Sequence, residues 1–303
     1  MNRNTRTALT LAALGIAILA VSAQAATYTW TGASDGDWTN AGNWDTNGVP
    51  VDTEPGGNLE LDGLDRIVFD ASGSANPLPT SNIPALGGNP FNNTAQSTPQ
   101  LDVLFGDLTF SVPGFKGQGV VKDSDDPWIN NIGDGNIANG TASLTYNGGF
   151  SEALGRDPLG PFQFVIEADG TLTVNRGGAG ALVLAYGSGR EVEVTLNGGA
   201  FITPDAIDTE RNTAEIGASF FDLTAAGSTV TAAFGTDFPD LATVSGAIGD
   251  GLTFRSSTAL PLSSVDNLDG TFTVSAAAIP EPASLALLGL GSLLIAGRRR
   301  RRN

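Results

Sequence analysis

The densest set of acids in the chain is Asp123, Asp125 and Asp126, which lie beside Trp128 in the stretch KDSDDPWINN. Paired carboxylates can cleave glycosidic bonds by acid and base catalysis, and converging carboxylates can bind Ca²⁺. The chain contains no histidine and no cysteine, so the usual general base and all thiol chemistry are missing. Because DSDD also lacks the glycine-containing spacing of an EF-hand loop, we expect solvated loop acids here and predict neither a catalytic nor a metal site.

Three of the four tryptophans, Trp30, Trp38 and Trp44, lie within 15 residues of one another. Exposed indoles would form a platform for stacking sugars, whereas buried indoles would cap the open end of a β structure, with acids such as Asp35 and Asp37 binding turn backbones. The spacing W-T-G…D-W…N-W-D resembles a module that opens the β-rich bodies of many bacterial surface proteins, including autotransporter-type repeats. Since that module precedes dissimilar bodies, the resemblance favours the cap.

Short β-rich runs separated by glycine-rich turns must position these residues. Threonine and valine alternate at period two in TLTV and TFTV, which is typical of half-buried strands, and no amphipathic helix is evident in the body. The predicted strand regions are Leu101 to Val112, Ala142 to Gly149, Phe162 to Gly178, Ala181 to Ile202, Phe220 to Phe234, Gly251 to Ser257 and Asn267 to Ala276.

A loose repeat of the form L-T-V/Y-N-G-G starts at Leu144, Leu172 and Val194. The intervals of 28 and 22 residues suit one coil of a solenoid, in which stacked copies would place asparagine at the same corner. The expected fold is therefore all-β, a right-handed parallel β-helix or solenoid. A β-sandwich with similar turns is the alternative.

The charge of the chain is unevenly distributed. Residues 26–282 contain eight basic and all 32 acidic residues, a net charge of −24. Such a body repels nucleic acid and anionic lipid headgroups, so we expect no nucleic-acid partner. Without cysteine it contains no disulfide, and no motif indicates a cofactor.

Residues 1–25 have the three parts of a secretory signal peptide. Arg3 and Arg6 are basic, an apolar stretch follows, and Ala23 and Ala25 place small residues before a cleavage site after Ala25. We therefore expect the body, residues 26–279, to be exported through the Sec translocon.

The C-terminal end combines an apolar run with a basic terminus. Residues 283–297 are uncharged and would form a helix of about 22 Å, short for a hydrocarbon core of about 30 Å. The arginines that follow should stay in the cytoplasm under the positive-inside rule. They are Arg298, Arg299, Arg300, Arg301 and Arg302.

Pro280, Glu281 and Pro282 precede this run, and the order of the three parts resembles the PEP-CTERM sorting signal of Gram-negative bacteria. The resemblance implies that residues 280–303 are recognised by an exosortase, a membrane transpeptidase that cuts near the Pro-Glu-Pro. It also implies transient anchoring in the inner membrane, followed by the cell surface or an exopolysaccharide matrix.

The expected function is therefore that of a non-enzymatic surface or matrix protein with a structural or adhesive body. One alternative is a carbohydrate-active β-helix enzyme, which would need carboxylates and an arginine in one groove. The other is a carbohydrate-binding module that uses the three clustered tryptophans. Exopolysaccharide or other surface components are the expected partners.

Overall fold

The computed structural model describes residues 27–45, 48–50, 66–70, 78–83, 100–111, 128–148, 153–156, 162–176, 180–186, 192–209 and 219–279. These residues form sixteen strands, one short helix and two 3-10 turns. The strands are β1 (Thr27–Trp30), β2 (Arg66–Asp70), β3 (Gln100–Ser111), β4 (Trp128–Ile132), β5 (Ala142–Asn147), β6 (Ala153–Arg156), β7 (Phe162–Glu167), β8 (Gly170–Asn175), β9 (Leu182–Tyr186), β10 (Val192–Asn197), β11 (Ala200–Asp208), β12 (Phe220–Leu223), β13 (Thr229–Ala233), β14 (Phe254–Arg255), β15 (Leu262–Asp266) and β16 (Thr271–Ala276).

Strands β1 to β14 stack in three parallel sheets. Sheet 1 contains β1, β2, the first half of β3, β4, β7, β10, β12 and β14. Sheet 2 contains the second half of β3, β5, β8, β11 and β13, and sheet 3 contains β6, β9 and the end of β11. Ala200 pairs with Thr171 and Thr229, each 29 residues away, so successive coils lie one above another. This confirms the predicted β-solenoid over the sandwich.

The core is formed by side chains that point inward from every coil. Along sheet 2, Leu144 pairs with Leu172, Leu172 with Phe201 and Phe201 with Val230, and all four are fully buried. Each such side chain contributes about 1.5–3 kcal/mol through burial. The period-two alternation is therefore the pattern that a coil needs, with one row inside and one outside.

Two of the three repeat copies stack as predicted. Leu144 and Leu172 are in register, and Nδ2 of Asn175 donates to Oδ1 of Asn147 at 3.1 Å. The third copy was placed wrongly, because its strand β10 belongs to sheet 1. There Nδ2 of Asn197 donates to Oε2 of Glu167 at 2.7 Å.

The C-terminal end departs from the coil pattern. The sequence predicted no helix in the body, but α1 (Leu241–Gly246) is present, with the Asp240 carboxylate accepting from Thr243 N at its start. Strands β15 and β16 then form an antiparallel hairpin on β13. Strand β15 was also missed, because its sequence, LSSVD, is short and weakly apolar.

Candidate functional site

The three clustered tryptophans pack against one another above the first coils. The ring centroids of Trp30 and Trp44 are 5.1 Å apart and those of Trp38 and Trp44 are 4.8 Å apart, both in edge-on geometry. The Trp38 ring also contacts Phe69 of sheet 1 and Phe110 of sheet 2, at 5.7 and 5.9 Å. The cluster thus fills the space between two sheets at the N-terminal end.

Burial decides between the two interpretations of these indoles. Trp30, Trp38 and Trp44 are 1%, 2% and 5% exposed, and Nε1 of Trp44 donates to the Trp38 carbonyl oxygen at 2.7 Å. Stacking a sugar needs an accessible ring face, so the sugar-stacking role considered for these three residues is wrong. Their geometry is that of a hydrophobic cap.

The polar residues between the tryptophans hold the loop that carries them. Asn43 is fully buried, and its Oδ1 accepts from the backbone N–H groups of Ser34 and Asp35 at 2.8 and 2.9 Å. Its Nδ2 donates to Oδ1 of Asp35 at 2.7 Å and to the Asp37 carbonyl oxygen at 2.9 Å. The aspartate and asparagine side chains between the tryptophans therefore form the hydrogen bonds that the backbone of this turn needs.

Both acids of this loop have pKa values below the usual range. The backbone N–H of Asp37 lowers the pKa of Asp35, with further hydrogen bonds from Asn43 and Asn40. The Asn82 side chain lowers the pKa of Asp37, followed by hydrogen bonds from Thr39. Donors that favour the charged form are typical of structural carboxylates in turns.

These shifts predict acid sensitivity of the loop. Because the folded pKa values lie below the unfolded ones, the stabilisation is complete above about pH 5 and is lost as the pH falls below about 4. We expect the thermal midpoint of Asp35→Asn to fall less than that of the wild type between neutral and acidic pH. The variant Asp250→Asn, which changes an exposed acid in a loop, is the control for the altered net charge. Parallel curves for Asp35→Asn and the wild type would contradict the assignment.

An ion pair with a buried carboxylate joins strand β2 to the next coil. Both Nε and Nη2 of Arg66 contact Oδ2 of Asp102, whose side chain is fully buried, whereas the Arg66 side chain is 46% exposed. The second carboxylate oxygen, Oδ1, accepts from Nδ2 of Asn131 at 2.7 Å and from its backbone N–H at 3.3 Å. Asp102 thereby links strands β2, β3 and β4 on the outside of sheet 1.

Several predicted sites lie outside the described residues. These are Asp123, Asp125 and Asp126, the signal peptide with Ala23 and Ala25, the residues Pro280, Glu281 and Pro282, and the arginines Arg298 to Arg302. Within the described ranges, no group of three or more acids could hold a metal ion. The same ranges contain no helix that is both long and apolar enough to cross a membrane.

The comparison with protein families identifies the C-terminal tail. Residues 278–302 match the PEP-CTERM protein-sorting motif, starting two residues before the predicted Pro280. No curated protein and no solved structure matches the chain. The resemblance of the tryptophan module to autotransporter repeats stays a prediction.

The match directly follows the folded body. Strand β16 ends at Ala276, where the backbone N–H of Ala277 still donates to the Pro261 carbonyl oxygen at 3.0 Å. Only Ala277 separates the last strand from the matched residues. The chain therefore carries a PEP-CTERM protein-sorting motif, which implies export and exosortase-dependent sorting to the cell surface.

Proposed function

We propose that the mature protein is a non-enzymatic structural or adhesive component of the cell surface or its exopolysaccharide matrix. The observation that carries this proposal is the sorting motif at residues 278–302, attached to an acidic β-solenoid. Stacked coils that bury one row of side chains present the alternating row outward, where exposed side chains can contact a matrix.

The described polar residues support a scaffold rather than an enzyme. Asp102 is held by Arg66 and Asn131, and the buried Asp169 accepts from the backbone N–H groups of Asp134 and Gly135. Asp222 accepts from Ser257 N at 2.8 Å. Each of these buried acids thus serves backbone or cross-strand bonding, which is a structural role.

Sorting predicts a specific processed form. In the native host, we expect the intact mass of the surface fraction to lack residues 1–25 and the tail beyond about Pro282. Changing Pro280, Glu281 and Pro282 together to alanine should remove most of this form and leave the tail-bearing chain in the inner membrane. The substitution Leu268→Ala, at a site 91% exposed in the body, is the matched control and should be sorted normally.

An exosortase deletion provides the second arm of this experiment. Loss of the processed form in the deletion strain would support exosortase as the processing enzyme. A tail that is retained in wild-type cells, in the inner-membrane fraction, would refute the proposal and indicate an ordinary membrane anchor. Recovery of the mature chain in the matrix fraction, bound to exopolysaccharide, would support the adhesive role.

A further inference from the structure

The outward side of sheet 2, together with the β15–β16 hairpin that continues it, is a regular array of hydroxyl groups, which we call the hydroxyl face. Its strands β3, β5, β8, β11, β13, β16 and β15 each contribute two outward residues, in register across the sheet. One column contains Asp107, Ser143, Thr171, Ala200, Thr229, Ser275 and Ser263, and the other contains Thr109, Thr145, Thr173, Ile202, Thr231, Thr273 and Val265.

Ten of these fourteen side chains are serine or threonine. Neighbouring rows lie about 4.8 Å apart, as strands in any sheet do. Threonine has few rotamers, and hydrogen bonds between rows fix some hydroxyls further. The Oγ1 atoms of Thr231 and Thr273 are 3.0 Å apart, and the Oγ atoms of Ser263 and Ser275 are 3.3 Å apart. The face is thus ordered before it meets a partner.

The charge of the face contrasts with that of the rest of the body. Residues 26–282 carry a net charge of −24, but the hydroxyl face contains one carboxylate, Asp107, at its first row. That carboxylate already accepts from the Ser143 hydroxyl at 2.6 Å. An uncharged partner that gains from many weak, evenly spaced contacts therefore suits this face.

Two macromolecular partners fit this surface less well. Protein interfaces depend on aromatic and arginine anchors and use serine and threonine little, and the hydroxyl face has no aromatic residue and no arginine. Sugar chains bind in concave sites or against aromatic rings, whereas this face is the outer side of a sheet. Hydroxyl bonds to a flexible chain also bring little net free energy in water.

Ice fits the array better. In a tetrahedral water network with O–H···O distances of about 2.75 Å, second-neighbour oxygens are about 4.5 Å apart, close to the strand spacing of about 4.8 Å. Threonine hydroxyls can join such a lattice while the adjacent methyl groups exclude liquid water. Because both surfaces are rigid, binding loses little conformational freedom. We propose that the hydroxyl face binds ice.

This proposal goes beyond sorting and does not depend on it. The full-length protein, purified in detergent, is frozen beside a detergent-only blank, and ice-crystal shape and recrystallisation are recorded. We expect the wild type to shape crystals and to inhibit recrystallisation. Thr173→Lys places a charge at the centre of the array, so the protein concentration needed to inhibit recrystallisation should rise at least about tenfold.

Two further variants sharpen the test. Thr195→Lys makes the same change on the outer side of sheet 1, at another half-buried threonine, and should act as wild type. In the β11 row, neither outward residue, Ala200 or Ile202, has a hydroxyl group. Ile202→Thr adds one at a site that is 39% exposed, and it should lower the protein concentration needed to inhibit recrystallisation.

The outcomes that overturn the proposal are also defined. A wild type that neither shapes ice nor slows recrystallisation would refute it. So would Thr173→Lys with unchanged activity and an unchanged circular dichroism spectrum. Binding to a purified neutral polysaccharide that depends on Thr173, without any effect on ice, would assign the face to a glycan instead.

Discussion

Replacing Trp44 with alanine is expected to lower the free energy of unfolding by about 4 kcal/mol, the usual cost of deleting a buried tryptophan. The Trp44 ring is the centre of the cap, because it contacts Trp30, Trp38 and Phe69 with centroid distances of 5.1, 4.8 and 6.0 Å. Deleting the Trp44 side chain leaves a cavity among the rings of Trp30, Trp38 and Phe69. Urea denaturation followed by circular dichroism measures the change.

The conservative variant separates packing from hydrogen bonding. Trp44→Phe keeps an aromatic ring but removes the Nε1 donor to the Trp38 carbonyl oxygen, so a loss of about 1–2 kcal/mol is expected. Limited proteolysis should show that cleavage begins at the N-terminal end, since each coil is stabilised mainly by its neighbours. If Trp44→Ala stays within about 1 kcal/mol of the wild type, the cap does not contribute to stability as its burial indicates.

Local patterns in the sequence were sufficient to predict most of the strands and the solenoid, although β1, β4, β6 and β15 lie outside the predicted strand regions. The alternation in Thr171 to Val174 and Thr271 to Val274 marks one buried and one outward row whatever the partner strand is. The dipeptide Asp-Gly, by contrast, occurs in two different kinds of turn in this chain. Asp269-Gly270 closes the β15–β16 hairpin, but Asp169-Gly170 forms a corner between parallel sheets, where a Cβ at Gly170 would clash with the Ile132 carbonyl oxygen.

Features that depend on distant contacts could not be predicted in this way. The third repeat copy at Val194 has a similar pattern, but it starts 22 rather than 28 residues after the previous copy, and its strand lies in sheet 1. The sequence alone left the burial of the tryptophans open, because it depends on Phe69 and Phe110 covering their rings. The PEP-CTERM motif could be recognised from the sequence, because a sorting signal is a linear pattern that needs no fold.

Arg66→Ala is the second change with a large expected effect, a loss of about 3 kcal/mol in the free energy of unfolding, at the low end for breaking a buried pair. The reason is the Asp102 carboxylate, which stays fully buried and loses the only cation that contacts it in the described structure. Water can reach the space left by the half-exposed Arg66 side chain, which keeps the loss from being larger.

The double variant Arg66→Ala/Asp102→Asn tests whether the uncompensated charge is the cause. An amide at position 102 carries no charge, and its oxygen can still accept from Nδ2 of Asn131, as Oδ1 does in the wild type at 2.7 Å. We therefore expect the double variant to regain about half of the stability that Arg66→Ala loses, measured as the coupling energy of a double-mutant cycle. Arg66→Lys keeps the charge but not the two-nitrogen contact and should fall in between. Additive losses would instead show that Arg66 stabilises the cap by packing along β2, independently of Asp102.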